Sequence, residues 1–395
     1  MTPRLHPFWA TVLLGAFLGA LVAPGAVMLA GLDREIPQGE NRELATRPAR
    51  PSTWATLRAF PGAASRYFED HFGLRARLVR WQAMLRLRTF GVSASPDVIV
   101  GRDGWLFYAG DGAAEDMAST VSFTRAELEA WRTTLEHTRD WMESHGIAYV
   151  FVLAPDKHAV YPELLPASVR RVGAETRTDA LVRYLGDHST VPVLDLRQAL
   201  QAAKIRERIY HRTDTHWNDR GAFAASQALL RLLAPRLEAP VLGRGAFVAR
   251  SAAVPGFDLA GMLGIAGAMT EVDLQLVPRV ARRARIVEPA RPDARLMDAR
   301  VVTEQDAPGR PRAVVFRDSF GSALIPFLSE EFSRAVYLWQ YNVDPDVVMA
   351  ERPDVVIQEW VGRRLNTLPP YDPFAARSGR SGRSGGSGRS GEPGR

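Results

Sequence analysis

Cysteine is absent from the chain, and lysine nearly so: Lys157 and Lys204 stand against 48 arginines. Without cysteine there is no disulfide, no thiolate metal site and no cysteine nucleophile. This absence fits any compartment, because oxidising compartments permit disulfides without requiring them. A large charge of one sign is also lacking in the body. The formal net charge is +6, but residues 377–395 hold five arginines and one glutamate, which is most of that excess. No basic stripe interleaved with aromatics occurs elsewhere, so nucleic acid is not an expected partner. No solenoid-type repeat is present. What remains, 395 residues with 46% hydrophobic and 24% charged, is the composition of a globular chain of one or two domains.

One long apolar run is present. Residues 6–32 contain no Asp, Glu, Lys or Arg, and a membrane-spanning helix needs roughly 20 mostly apolar residues. Arg4 precedes the run and Asp33-Arg-Glu follows it. The positive-inside rule then places residues 1–7 in the cytoplasm, 8–32 across the inner membrane as a single-pass anchor, and the body in the periplasm. A cleaved signal peptide is the alternative, although its apolar region is usually only about 7–15 residues.

Residues 33–65, rich in Pro, Arg and small residues, read as a linker. Helical spacing of apolar residues follows over 64–88, then a hairpin over 97–108 with its turn at Gly101–Gly104. From Thr124 the pattern alternates between helix and strand. Thr124-Arg-Ala-Glu resembles a capping box, opening a helix that stops at His145-Gly146. Residues 147–154 are a continuous apolar run, as in a buried parallel strand. Further strands are expected over 191–196, 313–316, 335–339 and 354–358. Helices are expected over 174–188, 197–206, 221–233 and 319–332. Residues 236–311 read as an insertion with one or two strands and much loop, and the Ser/Gly/Arg tail 371–395 as disordered. The expected architecture is an α/β sheet flanked by helices, flavodoxin-like in its winding, with the main domain over 66–370.

Two segments carry candidate chemistry. In Asp214-Thr-His216-Trp-Asn218, an extended or turn backbone lets Asp214 and His216 point to one side. A carboxylate beside an imidazole fixes its tautomer and raises its basicity. A surface turn with an ordinary histidine is the plain alternative. A metal site needs more ligands, and His211, five residues earlier, fits no standard spacing, so neither metal nor cofactor is expected. In Phe316-Arg317-Asp318-Ser319-Phe320-Gly321, a serine follows a buried strand and opens a helix. There its hydroxyl reaches the carboxyl edge of the sheet, where open α/β folds bind ligands. The plain alternative is a helix N-cap, for which Ser319 or Asp318 would serve. Together the segments supply Asp, His and Ser, a set that recurs in many chain orders. Arg317-Asp-Ser-Phe-Gly does not fit the G-x-S-x-G elbow of α/β-hydrolases.

Several segments share an order with a known family: Glu40-Asn-Arg, Tyr67-Phe-Glu-Asp-His-Phe-Gly-Leu-Arg, Val98-Ile-Val-Gly-Arg-Asp-Gly-Trp-Leu-Phe-Tyr, Ala154-Pro-Asp-Lys, Tyr161-Pro-Glu, Asp214-Thr-His-Trp-Asn, Arg317-Asp-Ser-Phe-Gly and Arg352-Pro-Asp-Val-Val-Ile-Gln-Glu. In these the chain resembles the AlgJ/AlgX-type alginate O-acetyltransferases with their SGNH-hydrolase-like, circularly permuted domain. The resemblance covers roughly residues 40–370. It implies Ser319 as nucleophile, His216 as general base and Asp214 as its orienting partner. It also implies acetyl transfer to an exported polysaccharide, with a membrane-bound O-acyltransferase delivering the acetyl groups. No carbohydrate-binding module is evident after residue 370. Candidates for oxyanion stabilisation or substrate binding are Arg317, Gly321, Asn218, Lys157 and Arg363, with Trp339 and Tyr341 as sugar-stacking aromatics. A polysaccharide acetyl esterase using the same triad, and a non-catalytic polysaccharide-binding component, are the alternative readings.

Overall fold

The computed structural model describes residues 7–32, 44–237, 241–288 and 300–375. Residues 1–6, 33–43 and 376–395 lie outside them, and with these most of the expected cytoplasmic segment, the Glu40-Asn-Arg segment and nearly all of the expected disordered tail. The chain forms two compact units, one of residues 1–100 with 255–270 and one of 101–254 with 271–395.

In the first unit the charge-free run is a helix, Pro7–Leu29. Its stretch Phe8–Leu29 has a mean hydropathy of 2.3 and none of it is buried. The length suits a bilayer span, and a signal sequence has the same properties. The linker expected over 33–65 needs correction, because Trp54–His71 is helical. Thr53 caps this helix and Thr56 bonds back to the Thr53 N–H, a capping box with threonine where the usual pattern has Glu or Gln. The helix expected over 64–88 is also divided. A second helix, Arg75–Leu85, starts after Leu74, whose φ is 69°. Gly73 permits this break, since a Cβ there would lie 2.5 Å from the Pro24 carbonyl oxygen. Strand β1 (Val98–Val100) completes the described part of this segment.

The second unit begins at the expected turn, which the Gly101 N–H closes onto the Trp105 carbonyl at 2.7 Å. Strand β2 (Leu106–Tyr108) follows. The helix Arg125–Ser144 opens with the expected Thr124/Glu127 capping box. Strands β3 (Ala148–Ala154) and β4 (Val193–Asp195) flank the helix Arg177–His188. The helix Asp219–Leu233 precedes β5 (Phe247–Pro255) and β6 (Thr270–Pro278), which pair as a two-stranded sheet. Then come β7 (Arg285–Glu288), β8 (Val301–Glu304), β9 (Arg312–Arg317), β10 (Arg334–Trp339) and β11 (Val355–Val361).

The central sheet has the order β4-β3-β11-β9-β10-β8-β7. Its first five strands run parallel; β8 and β7 add an antiparallel edge. The residues expected as an insertion over 236–311 therefore contribute two strands to the main sheet. β7 is exposed throughout and β8 is buried except at Glu304, so neither four-residue run has a period that locates it. The run expected as one helix over 319–332 is broken into Ser319–Ser322, Ile325–Leu328 and a 3-10 turn, Ser329–Glu331. Pro326, which has no amide proton to donate, sits near this break.

β3 is buried on both faces, as a central parallel strand must be. On one face Tyr149, Phe151 and Leu153 meet Trp131, Leu135, Leu181 and Leu185 from the two long helices. Trp131 sets its ring edge-on to Trp360 of β11 at 4.9 Å. This core fixes the carboxyl ends of β3, β9 and β11 side by side, and the candidate residues follow those ends.

Candidate active site

The Asp214 segment is a run of bends over 212–216, closed by a bridge between Tyr210 and Trp217. Thr213 and Thr215 are buried, while Asp214 and His216 are half-buried and point to the same side of the turn. Asp214 Oδ1 accepts from the His216 backbone N–H at 2.9 Å and lies 2.7 Å from Nδ1. The carboxylate thus fixes the ring so that Nε2 is the nitrogen left to act as a base. Burial alone would raise the Asp214 pKa. The hydrogen bond and charge of His216 outweigh it and bring the group down to about 2. His211 is displaced below its ordinary value, chiefly by burial, against the pull of the Asp214 charge. Its backbone N–H bonds to the His216 carbonyl at 3.3 Å.

Two groups that sequence reasoning did not assign to this loop hold it. Glu271, fully buried, accepts from the Thr213 N–H and hydroxyl at 2.8 and 2.9 Å and pairs with Arg208 at 3.0 Å. The Lys157 ammonium, 3% exposed, donates to the carbonyls of His211, Arg212 and Asp214 at 3.1, 3.2 and 2.6 Å. It also lies over the rings of Trp105 and Phe107. Lys157 was a candidate for substrate binding, and its observed partners are backbone carbonyls.

Ser319 follows β9 at the carboxyl edge of the sheet and is half-buried. The helix cap is Asp318, whose Oδ1 accepts from the Phe320 N–H at 2.8 Å. Asp318 Oδ2 accepts from the Val361 N–H at 2.9 Å and the Tyr341 hydroxyl at 3.3 Å. Beneath the turn lies Glu359, 1% exposed, accepting from the Asp318 N–H at 3.0 Å. Burial first, and then the Asp318 charge, push the Glu359 carboxyl well above its ordinary range. Gly321 is needed here: a Cβ would meet Arg317 Cβ at 2.7 Å and Glu359 Oε2 at 2.8 Å. This close approach is to the protein itself.

Phe320 joins the two segments. Its ring, fully buried, lies 4.8 Å from the His216 ring and 5.0 Å from that of Trp217. The imidazole is therefore packed against the residue that follows the serine. Among the described residues no hydrogen bond joins Ser319 to His216. Catalytic hydrogen bonds are often long in ligand-free structures and tighten when substrate binds.

The other candidates have structural partners. Asn218 caps the helix Asp219–Leu233 through Oδ1, and its amide donates to the Arg208 carbonyl at 2.9 Å. Arg317 is fully buried, bonded to Ser322 at 2.7 Å, with its guanidinium 5.0 Å from the Trp339 ring centre. Arg363 is paired with Asp156 at 2.5 Å and lies over the Phe320 ring. Tyr341 packs on Trp360 at 4.6 Å, and its raised pKa follows from burial and then the Asp318 charge. Trp339 is 40% exposed and is the aromatic with surface left for a ligand.

The family described as the SGNH hydrolase-like domain of acetyltransferase AlgX matches residues 98–304. That stretch includes Asp214 and His216 and ends before Ser319. The probable alginate O-acetylase AlgJ of Pseudomonas fluorescens is 29% identical over 179 residues, 44% of this chain and 42% of that protein. The corresponding protein of Pseudomonas putida is 28% identical over 216 residues, 54% and 50% of the two chains. The chain thus spans about half the length of the curated relatives it matches. The structure of Bacillus cereus PatB1 with a sulfonyl adduct superposes with a TM-score of 0.50 and 16% identity, covering 68% of this chain and 97% of that one; this likeness is one of fold. With just over half of its residues matched, the chain belongs to the AlgX family through its SGNH hydrolase-like domain.

Proposed function

We propose that this protein is an O-acetyltransferase that carries an acetyl group on Ser319 to hydroxyls of an exported, alginate-like polysaccharide. The observation that carries the reading is the Asp214–His216 hydrogen bond with the imidazole packed on Phe320, next to Ser319. Ser319 Oγ attacks the carbonyl carbon of an acetyl ester while His216 Nε2 takes the hydroxyl proton. The donor oxygen leaves with that proton, and the acetyl group stays on the serine as an ester. A sugar hydroxyl then gives its proton to His216 and attacks the ester, and the serine oxygen departs with the same proton. Asp214, ionised throughout the neutral range, stabilises the imidazolium formed in each half-reaction.

The apolar helix Pro7–Leu29 supports anchoring in the inner membrane with the body in the periplasm. Cytoplasmic acetyl-CoA is then out of reach, and a membrane-bound O-acyltransferase supplies the acetyl group. The test is intact mass of the full chain after exposure to an activated acetyl ester, with and without oligosaccharide acceptor. A single acetyl adduct, absent in Ser319→Ala and discharged onto sugar, supports the transferase. Discharge to water at the same rate without acceptor supports an esterase. Absence of adduct and of donor consumption in folded wild-type protein overturns both and leaves a binding role.

A further inference from the structure

A second cluster of titratable side chains lies over the carboxyl ends of β3, β4 and β11, apart from Ser319. Asp116, Asp156 and His158 are each under 10% exposed. His158 Nε2 lies 2.7 Å from Asp116 Oδ2. One donor atom from each of the three residues lies within 4.8 Å of the other two. All three line a cavity of about 490 Å³ that also reaches Ser119 and Gly362.

Among the described residues, two buried oxygens of the cavity lining have no hydrogen-bond partner: Asp116 Oδ1 and the Ser119 hydroxyl. Asp116 is 5% exposed and Ser119 4%. Leaving a buried carboxylate oxygen unsatisfied is costly, so the pair points to a ligand that is a Lewis acid or a donor. A donor alone would not explain a second carboxylate and an imidazole converging on the same point. From these observations we infer that Asp116, Asp156 and His158 form a binding site for a divalent first-row transition cation, with the Ser119 hydroxyl beside it.

Two carboxylates and one imidazole are a donor set suited to Zn²⁺ or Mn²⁺. The outer shell is in place. Arg363 donates to Asp156 Oδ1 through its guanidinium and to Oδ2 through its backbone N–H, at 2.5 and 2.8 Å. Each carboxylate oxygen keeps a second lone pair for a cation. The cavity supplies an entry path. Binding replaces the hydrogen bond between His158 and Asp116, with the neutral imidazole carrying its proton on Nδ1 so that Nε2 is free to bind the cation. The bound cation would brace the turn Pro155–His158, which carries Lys157 and, through it, the Asp214 loop.

The test uses detergent-solubilised full chain stripped with chelator and titrated with Zn²⁺ by calorimetry and with Mn²⁺ by pulsed electron paramagnetic resonance. One equivalent is expected per chain, with a single imidazole nitrogen coupled to Mn²⁺. Asp116→Asn and His158→Gln should each weaken binding about 100-fold, while His216→Gln should leave affinity and nitrogen coupling unchanged. If the Asp116 and His158 variants fail to fold, the wild-type spectrum together with His216→Gln still decides. No stoichiometric binding by wild type, no nitrogen coupling, or its loss in His216→Gln would overturn the inference.

Discussion

The Lys157 ammonium donates to the Asp214 carbonyl oxygen at 2.6 Å, and so a strand-end lysine sets where the Asp214 carboxylate stands. The same nitrogen reaches the carbonyls of His211 and Arg212. Three carbonyls converging on one buried cation define the loop more tightly than any single contact would. Replacing Lys157 with Met keeps a side chain of similar length near Trp105 and Phe107 but removes the charge over their rings and strands the carbonyls. A stability loss of about 3 kcal/mol is expected, since each buried group left unpaired costs roughly 1–3 kcal/mol. Acetyl transfer should fall about 100-fold, the effect of an ångström-scale misplacement, mostly in kcat. A normal kcat with lowered Tm would make the contact purely structural.

Asp214 makes a different prediction. Asp214→Asn keeps the shape of the side chain but removes the charge that orients the imidazole. In serine hydrolase triads this change lowers kcat about 10⁴-fold, and a loss of that order in single-turnover acetylation is expected here. The pH dependence follows from a native pKa of about 2 against an ordinary 3.8. A depressed carboxyl contributes stability that is present above pH 3.8 and is lost as pH falls through about 2. Wild type should therefore lose more stability than Asp214→Asn between pH 4 and pH 2. In the neutral range the acid limb of activity should belong to another group.

How much of this was legible depends on how far apart the partners lie in sequence. The Thr124/Glu127 box and the Asp214/His216 pair are local and were readable, because their partners lie three and two residues apart. Phe320, between Ser319 and Gly321, was not marked by any pattern, and its packing on His216 required the fold. The same holds for Glu271 on Thr213, 58 residues apart, and for Asp116 with His158, 42 apart. Spacing rules for metal sites see only near neighbours, so a cluster assembled from a loop helix and a strand end escaped them. Strands were expected within 236–311 without a position: the runs at 285–288 and 301–304 are four residues each, the first exposed throughout and the second buried but for Glu304, so neither has a period to locate it.

Asn218 separates a helix cap from an oxyanion donor. Its Oδ1 accepts from the N–H groups of Arg220 and Gly221, and its amide is bonded to the Arg208 carbonyl. Asn218→Ala should cost about 1 kcal/mol, the usual worth of such a cap, seen as a lowered Tm. An oxyanion donor would instead show a 10²–10³-fold loss in rate. A fall in kcat of that size at full stability would return Asn218 to the reaction.

Glu359 supplies the last prediction, because it lies directly under the Ser319 turn and is almost completely buried. Its native pKa is raised well above the ordinary 4.5, by burial and then by the Asp318 charge. The native state therefore favours the protonated carboxyl. For a raised group the stability contributed is fully present below the unfolded value and is lost as pH rises through the folded one. Glutamine mimics the neutral acid and does not ionise. Glu359→Gln should match wild type near pH 4 and become the more stable of the two as pH rises from 5 to 9, with the gap widening in thermal unfolding. Its Oε1 still accepts the Asp318 N–H, so the Ser319 turn should keep its shape and acetylation at neutral pH should change less than tenfold. A gap that is constant with pH, or that widens towards acid, would mean that Glu359 is ionised in the native protein and that Arg317 holds its charge.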